Sequence, residues 1–292
     1  MQQHQDRQQT ARAHKASVAE IADMPWHVLG EMMAATVPTR NAFMTIAPSL
    51  ASPQVIELRQ YTLHPGRRDA LIELFEREFI EPQEALGMRV IGTFRDLDAP
   101  DRFVWLRGFT DMASRAAALA AFYGGPVWQR HRDAANATMI DSDDVLLLRP
   151  ARPPGGFGAA DSARAPIGTQ ALPAGLITAT LCSLAAPATD ELTARFERDV
   201  RVHWTAAGSE PIACLVTETA ANNFPRLPVR EGEPMWVLLS RFADEAAQRR
   251  HAARLAANRE WTGAVWPAWR ERFAADPQTL RLAPTARSAL HG

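Results

Sequence analysis

The sequence predicts an α+β fold made of two tandem βαββαβ units. The first observation behind this is an internal repeat. Phe75-Glu76-Arg77-Glu78 returns as Phe196-Glu197-Arg198-Asp199, and Ala85-Leu86-Gly87 returns as Ala206-Ala207-Gly208, both 121 positions further on. Val104, Phe109, Asp111 and Trp128 then return as Val237, Phe242, Asp244 and Trp261, 133 positions further on. Two constant offsets mean two homologous units, with twelve residues inserted into the second between Gly208 and Val237. The second observation is that each copy runs through the same order of period-two and helical hydrophobic patterns. The third is a Pro/Gly-rich segment between the copies.

Val55–Leu63 alternates in polarity and is rich in β-formers, which predicts a strand. Pro65-Gly66 ends it. Asp69–Leu86 places Leu71, Leu74, Phe75 and Phe79 at helical spacing, and Gly87 stops that helix. Arg89–Arg95 and Phe103–Phe109 are two strands around the polar turn Asp96–Arg102. Asp111 or Ser114 caps a second helix from about Ala113 to Tyr123. Gly124-Gly125 breaks it, and Pro126 restarts a helix in the first turn, where proline fits. Val145–Arg149 is the closing strand. The order β-α-β-β-α-β, over residues 53–150, is that of the ferredoxin-like unit.

Pro150–Gly175 carries five prolines and five glycines, so residues 151–175 form a linker. If flexible it spans roughly 25–30 Å, enough for the units to meet face to face. The second, degenerate unit (176–292) repeats the order. Leu176–Leu184 is a strand and Thr189–Ala207 a helix; Ile212–Thr219 and Trp236–Phe242 form a hairpin with a longer loop, Asn222–Pro234. Ala246–Phe273 is helical with a break at Pro267, and Leu280–Leu282 closes the unit. Residues 1–52 match neither copy and form an N-terminal extension, partly disordered or carrying a short helix over Ala19–Thr36 interrupted by Pro25. Met44 is a second candidate start.

At 292 residues there is room for two domains of roughly 100 residues each. The net charge of −1 offers no field for nucleic acid or an anionic membrane. Two cysteines exclude a disulfide framework and a Cys-rich zinc site. No apolar run approaches the roughly 20 residues of a membrane helix, and the polar N-terminus has no signal core. The expectation is a soluble cytoplasmic protein.

Glu57-Leu58-Arg59-Gln60-Tyr61-Thr62-Leu63 with Pro65-Gly66, then the helix, then Val90-Ile91-Gly92-Thr93-Phe94, then Phe103-Val104-Trp105-Leu106, then Trp128, resembles the NIPSNAP family over about Val55–Arg149. The second unit lacks the Glu-Leu-Arg-x-Tyr signature. The resemblance implies a dimeric-type α/β barrel, in which two four-stranded sheets pack together and helices cover the outside. Related proteins include cofactor-free monooxygenases, isomerases, cyclases, haem-degrading enzymes and haem peroxidases, so the resemblance implies a pocket and a range of chemistries rather than one reaction.

Alternation puts Glu57, Arg59 and Tyr61 on one face of the first strand, and Ile56, Leu58 and Thr62 on the other, with Gln60 as an exception. Phe103, Trp105, Arg107 and Phe109 share a face of the third strand. If the apolar face meets the helices, Glu57, Arg59, Tyr61, Trp105 and Arg107 line the barrel interior, joined by Thr93 and Arg95. Arginines beside aromatics suit an anionic, partly aromatic ligand. Arg59 and Arg107 would anchor the anion, Tyr61 would handle a proton, and Trp105 would stack. Cross-strand pairing of Glu57 with Arg59 or Arg107 is the plain structural alternative. The offsets map Glu57, Arg59 and Tyr61 onto Thr178, Thr180 and Cys182, Arg95 onto Val216, and Arg107 onto Ser240. The second unit thus loses every charge of the set and reads as a structural half-barrel.

Trp128 and His131, about one turn apart, complete the candidate ligand contacts. A packing histidine is the plainer reading of His131, with proton transfer or haem ligation the other. His64 falls in a turn, and His203 and His251 lie on helices without metal spacing. No cofactor is predicted, and haem stays open because it needs one histidine only. Asp96, Asp98 and Asp101 fit a turn; Asp141, Asp143 and Asp144 fit a solvated loop. Cys182 and Cys214, two strands apart, would lie about 9–10 Å from each other, too far to bridge. The functional expectation is a cofactor-independent lyase, isomerase or monooxygenase acting on an anionic or aromatic metabolite. The alternative is a ligand- or protein-binding member without catalysis. The expected partners are a small-molecule ligand and, if the barrel does not close within the chain, a second copy.

Overall fold

The computed structural model describes residues 52–152, 157, 164–209 and 211–291. The N-terminal extension, its helix and Met44 lie outside the described residues. The first half contains β1 (Val55–Leu63), α1 (Arg68–Glu78), α2 (Ile80–Ala85), β2 (Arg89–Asp96), β3 (Arg102–Phe109), α3 (Met112–Gly124), α4 (Pro126–Asn136) and β4 (Met139–Pro150). The second contains β5 (Leu176–Ser183), α5 (Asp190–Arg195), α6 (Arg201–Ala206), β6 (Pro211–Thr217), β7 (Met235–Phe242), α7 (Glu245–Ala257), α8 (Trp266–Arg270) and β8 (Gln278–Pro284). One π-helical turn, Phe196–Val200, joins α5 to α6, and another, Trp261–Val265, precedes α8.

The strands close a barrel in the order β1-β3-β2-β8-β5-β7-β6-β4. Each half carries its own strands in the order fourth-first-third-second, the ferredoxin-like arrangement. Antiparallel seams of three residue pairs join the halves, Phe94–Asp96 with Leu282–Pro284 and Leu148–Pro150 with Leu215–Thr217. Barrel closure leaves no open sheet edge.

The two halves repeat down to register. Val55 faces Phe109 and Leu176 faces Phe242, so the first members are 121 residues apart and the second 133. The slip in β2 between Val90 and Gly92 opposite Arg107 and Leu106 recurs between Pro211 and Ala213 opposite Ser240 and Leu239. Asp111 caps α3 by accepting from the Ser114 N–H, and Asp244 caps α7 by accepting from the Ala247 N–H.

The barrel interior is apolar. Ile56, Leu58, Val104 and Leu106 from one half and Ile177, Ala179, Val237 and Leu239 from the other form a single buried cluster. Phe157 and Leu290 join this cluster, so the linker is anchored at Phe157. Gly92 permits the tail to close in: a Cβ there would sit 2.5 Å from the Phe94 ring and 3.1 Å from the Leu290 Cβ. The expectation of a polar barrel lumen is thereby corrected. Strands buried on both faces need apolar side chains on both, and the interior took the aliphatic set. The Glu57–Arg59–Tyr61 face turns outward against α1–α3, where Phe75, Phe79, Leu119 and Phe122 form a second cluster with Tyr61 and Trp105. A third cluster packs the helices of the second half on its own sheet.

Three local expectations also change. The first helix is divided at Phe79 into α1 and α2. Asp141, Asp143 and Asp144 lie within β4, which extends to Met139 along Leu63 of β1. The last helical stretch breaks at Asn258, whose Oδ1 accepts from the Trp261 N–H, while Pro267 sits in the first turn of α8. Cys182 and Cys214 form no disulfide and are separated by β7, as the topology requires.

Candidate functional site

Strand pleating and the β1–β3 register set the site. Glu57 pairs with Arg107, Arg59 with Trp105 and Tyr61 with Phe103, all on the face covered by helices. Glu57 is the hub. Its Oε2 accepts from Arg59 Nη1 at 2.8 Å and from Arg107 Nε at 2.7 Å, and its Oε1 accepts from Arg115 Nε at 2.7 Å. Arg107 Nη2 also lies 2.7 Å from Oε2, an ion-pair contact without hydrogen-bond geometry. All four side chains are buried, with at most 1% exposure.

Outer groups hold the guanidiniums in place. Arg59 Nε donates to Tyr61 Oη at 2.9 Å, and Arg107 Nη1 donates to Gln83 Oε1 at 3.1 Å. Arg115 Nη1 donates to Asn223 Oδ1 at 2.8 Å and Asn222 Oδ1 at 3.0 Å, in the hairpin loop of the second half. The guanidiniums of Arg59 and Arg107 lie 5.7 Å and 5.0 Å from the Trp105 ring centroid, within cation–π range. Tyr123 stands 5.9 Å from Arg107 and packs on Phe224 of the same loop.

Burial alone would raise the Glu57 pKa; Arg107, Arg59 and Arg115 outweigh it and hold the carboxyl well below its usual range. Burial raises Tyr61, which therefore remains a phenol at neutral pH. Burial lowers Arg115, against the pull of Glu57. The cluster sets three guanidiniums against one carboxylate, and Glu57 is the only described carboxylate that any of the three ion-pairs with. Buried charge in excess is costly unless compensated. Two donors, Arg115 Nη2 and Trp105 Nε1, are buried without a protein acceptor.

Of the residues predicted from sequence, Glu57, Arg59, Tyr61, Trp105 and Arg107 come together. Thr93 and Arg95 share their sheet face but lie apart: Thr93 Oγ1 meets Thr285 Oγ1 at 2.6 Å, and Arg95 Nε donates to Asp69 at 3.1 Å. Trp128 packs on Phe79, Phe122 and Tyr123. His131 faces Glu78 at 3.5 Å, on a helix surface away from Glu57. Sequence reasoning missed Arg115, Gln83, Asn222 and Asn223. The signal for the asparagines was the twelve-residue insertion, which is the loop that reaches Arg115. Arg115 itself lies in an alanine-rich helix where nothing marked it.

The corresponding place in the second half is filled. Trp204, 121 positions after Gln83, donates its indole N–H to Ser240 Oγ at 2.9 Å, and Ser240 is the counterpart of Arg107. Trp204 packs on His251 with ring centroids 4.7 Å apart.

Residues 56–153 match the NIPSNAP family model. No curated protein matches the chain. Among solved structures, a candidate monooxygenase from Fusobacterium nucleatum aligns with a TM-score of 0.51 at 8% identity, over 82% of this chain and 96% of that one. A candidate monooxygenase from Lactobacillus acidophilus aligns at 0.47 and 11% identity, over 81% and 98%. An uncharacterized NIPSNAP-like domain protein from Burkholderia xenovorans is 28% identical over 33% of this chain and 84% of its own, with a TM-score of 0.31. The Fusobacterium likeness is one of fold. The strand motifs around Glu57 and Trp105 both fall within residues 56–153, the part of the chain that is similar to the NIPSNAP family.

Proposed function

We propose that the first half is the site of a cofactor-independent small-molecule enzyme, of the lyase, isomerase or monooxygenase type, acting on a small organic anion. The observation that carries this is the imbalance of three buried guanidiniums around a single carboxylate, with Arg115 Nη2 and Trp105 Nε1 left without protein acceptors. An anion seated there compensates the charge and supplies the acceptors. Glu57 is too acidic and Tyr61 too weak an acid for either to be a base near neutral pH. The chemistry such a site favours is therefore electrostatic stabilisation of charge developing on a substrate oxygen, as in an enolate, with Tyr61 O–H as a donor. The loop carrying Asn222 and Asn223 bonds to Arg115, so entry of an anion would require that loop to lift.

That lack of a base near neutral pH also favours a second reading, binding of the anion without turnover. Native mass spectrometry of the purified protein, with an absorbance scan, tests both. A co-purifying organic anion that is lost in Arg59→Met, with the melting temperature lowered by no more than a few degrees, supports the site. A Soret band would replace the ligand class with haem. A steep fall in melting temperature in Arg59→Met, with no bound mass in either protein, would reduce the cluster to structural pairing. Conversion of the identified anion by the wild-type protein separates enzyme from binder.

A further inference from the structure

Outside the Glu57 cluster lies a cavity of about 300 Å³, where the two halves meet along β4 and β6 beneath the 219–234 loop. The seam register places its walls. Arg149 pairs with Val216, and the Glu218 N–H donates to the Leu147 carbonyl at 2.9 Å, two pairs further along. Leu147 and Val216 belong to the helix-side clusters, so by alternation all four side chains stand on the outer face of the seam. Arg149 and Glu218 occupy one diagonal of this patch; Leu147 and Val216 occupy the other. Leu147 and Val216 are buried and form an apolar floor, with Val229 and Ala188 beside them in the lining.

Two of the charges around this floor, Arg149 and Glu218, are not matched to a partner of opposite charge among the described residues. Arg230 is committed to Asp144 and Glu233. The Arg149 side chain has no hydrogen bond or ion pair among the described residues, and the Glu218 carboxylate meets no cation among them. Glu218 Oε1 accepts the Ala220 N–H at 2.8 Å, which leaves its other oxygen for a donor. A cationic anchor and an anionic one, separated across an apolar floor, suit a molecule carrying both opposite charges and a hydrocarbon body. A volume of about ten waters' share of liquid water fits about ten non-hydrogen atoms.

We propose that this cavity is a second small-molecule site, for a zwitterion of the apolar α-amino acid class. The carboxylate pairs with Arg149, the ammonium with Glu218, and the side chain rests on Leu147, Val216 and Val229. The inference does not rest on the Glu57 site, although Leu147 is the β4 neighbour of Glu57.

Three matched probes test it by isothermal titration and saturation-transfer NMR on the full chain: leucine, 4-methylpentanoate (no ammonium) and 3-methylbutylamine (no carboxylate). Leucine is expected to bind saturably, with each single-charge analogue at least tenfold weaker. Arg149→Met and Glu218→Gln should each weaken leucine at least tenfold, and Arg59→Met, which lies in the Glu57 cluster and does not touch the 219–234 loop, should not. Absence of saturable leucine binding, equal binding of the analogues, or full binding by Arg149→Met overturns the proposal. Loss in Arg59→Met with retention in Arg149→Met also overturns it and places the molecule at the Glu57 cluster instead. Should Arg149→Met not fold, the ranking of the three probes on the wild-type chain and Glu218→Gln decide alone.

Discussion

Trp204 touches Ser240 at the place where, in the other half of the barrel, Gln83 touches Arg107. The same two positions, on a helix and on the third strand, face each other in both copies. In one, an amide oxygen steadies a guanidinium; in the other, an indole fills the space and its N–H takes a hydroxyl. Gln83→Leu should leave Arg107 Nη1 buried with only the weak Met88 thioether acceptor, 3.9 Å away. We expect a loss of about 1–3 kcal/mol in urea unfolding, and about 0.5–1.5 kcal/mol for Trp204→Phe, where only a neutral bond goes. Equal losses would mean that packing, not the charge, sets the cost.

Glu57→Gln removes the only carboxylate among three guanidiniums. The expected cost is about 3–5 kcal/mol, in the range for orphaned buried charge. Arg59→Met leaves Glu57 paired to Arg107 and Arg115, so it should cost less than half as much. Chemical denaturation of the two variants checks the order, and a milder Glu57→Gln would refute the account of the hub.

The same carboxyl sets an acid limit. Its pKa is depressed in the folded state, so its contribution is fully present above the unfolded value of about 4.3 and is lost as pH falls below that. The melting temperature should be insensitive to Glu57 from pH 7 to 5 and fall below about pH 4 more steeply in the wild type than in Glu57→Gln. Parallel pH curves for the two proteins would contradict this.

Asn222→Ala with Asn223→Ala frees Arg115 Nη1 and unpins the loop from α3. Hydrogen exchange across residues 218–234 should quicken at least several-fold, with little change in the barrel strands. Uniform exchange in both proteins would show that Phe224 packing alone holds the loop.

Much of this architecture was legible in the chain because repeats and alternation are local properties. The offsets at Phe75 and Val104 carry through to strand register and even to the bulge beside Gly92. Alternation also grouped Glu57, Arg59, Tyr61, Trp105 and Arg107 correctly on one face. What alternation cannot say is which face looks inward when both are buried. The aliphatic residues Ile56 and Leu58 went to the lumen, and the mixed charged and aromatic face went to the helices, where Gln83 and Arg115 supply partners that a sheet interior lacks. Arg115 and Asn222 meet across 107 positions of sequence, a contact no local pattern announces. Thr93 was drawn away by Thr285, whose tail position follows the last predicted strand.

Closure of the barrel along both seams of one chain has a consequence for symmetry. An assembly of two identical chains about a twofold axis must show every substitution twice, so neither face can change without the other. Here the two faces are encoded separately. An arginine could be kept at 107 while a serine came to stand at 240, and a lengthened loop on one side could become the roof of the other. The molecule has the outline of a pseudo-dimer, but its linkage makes it a single asymmetric object, free to divide its labour between one chemical face and one supporting face.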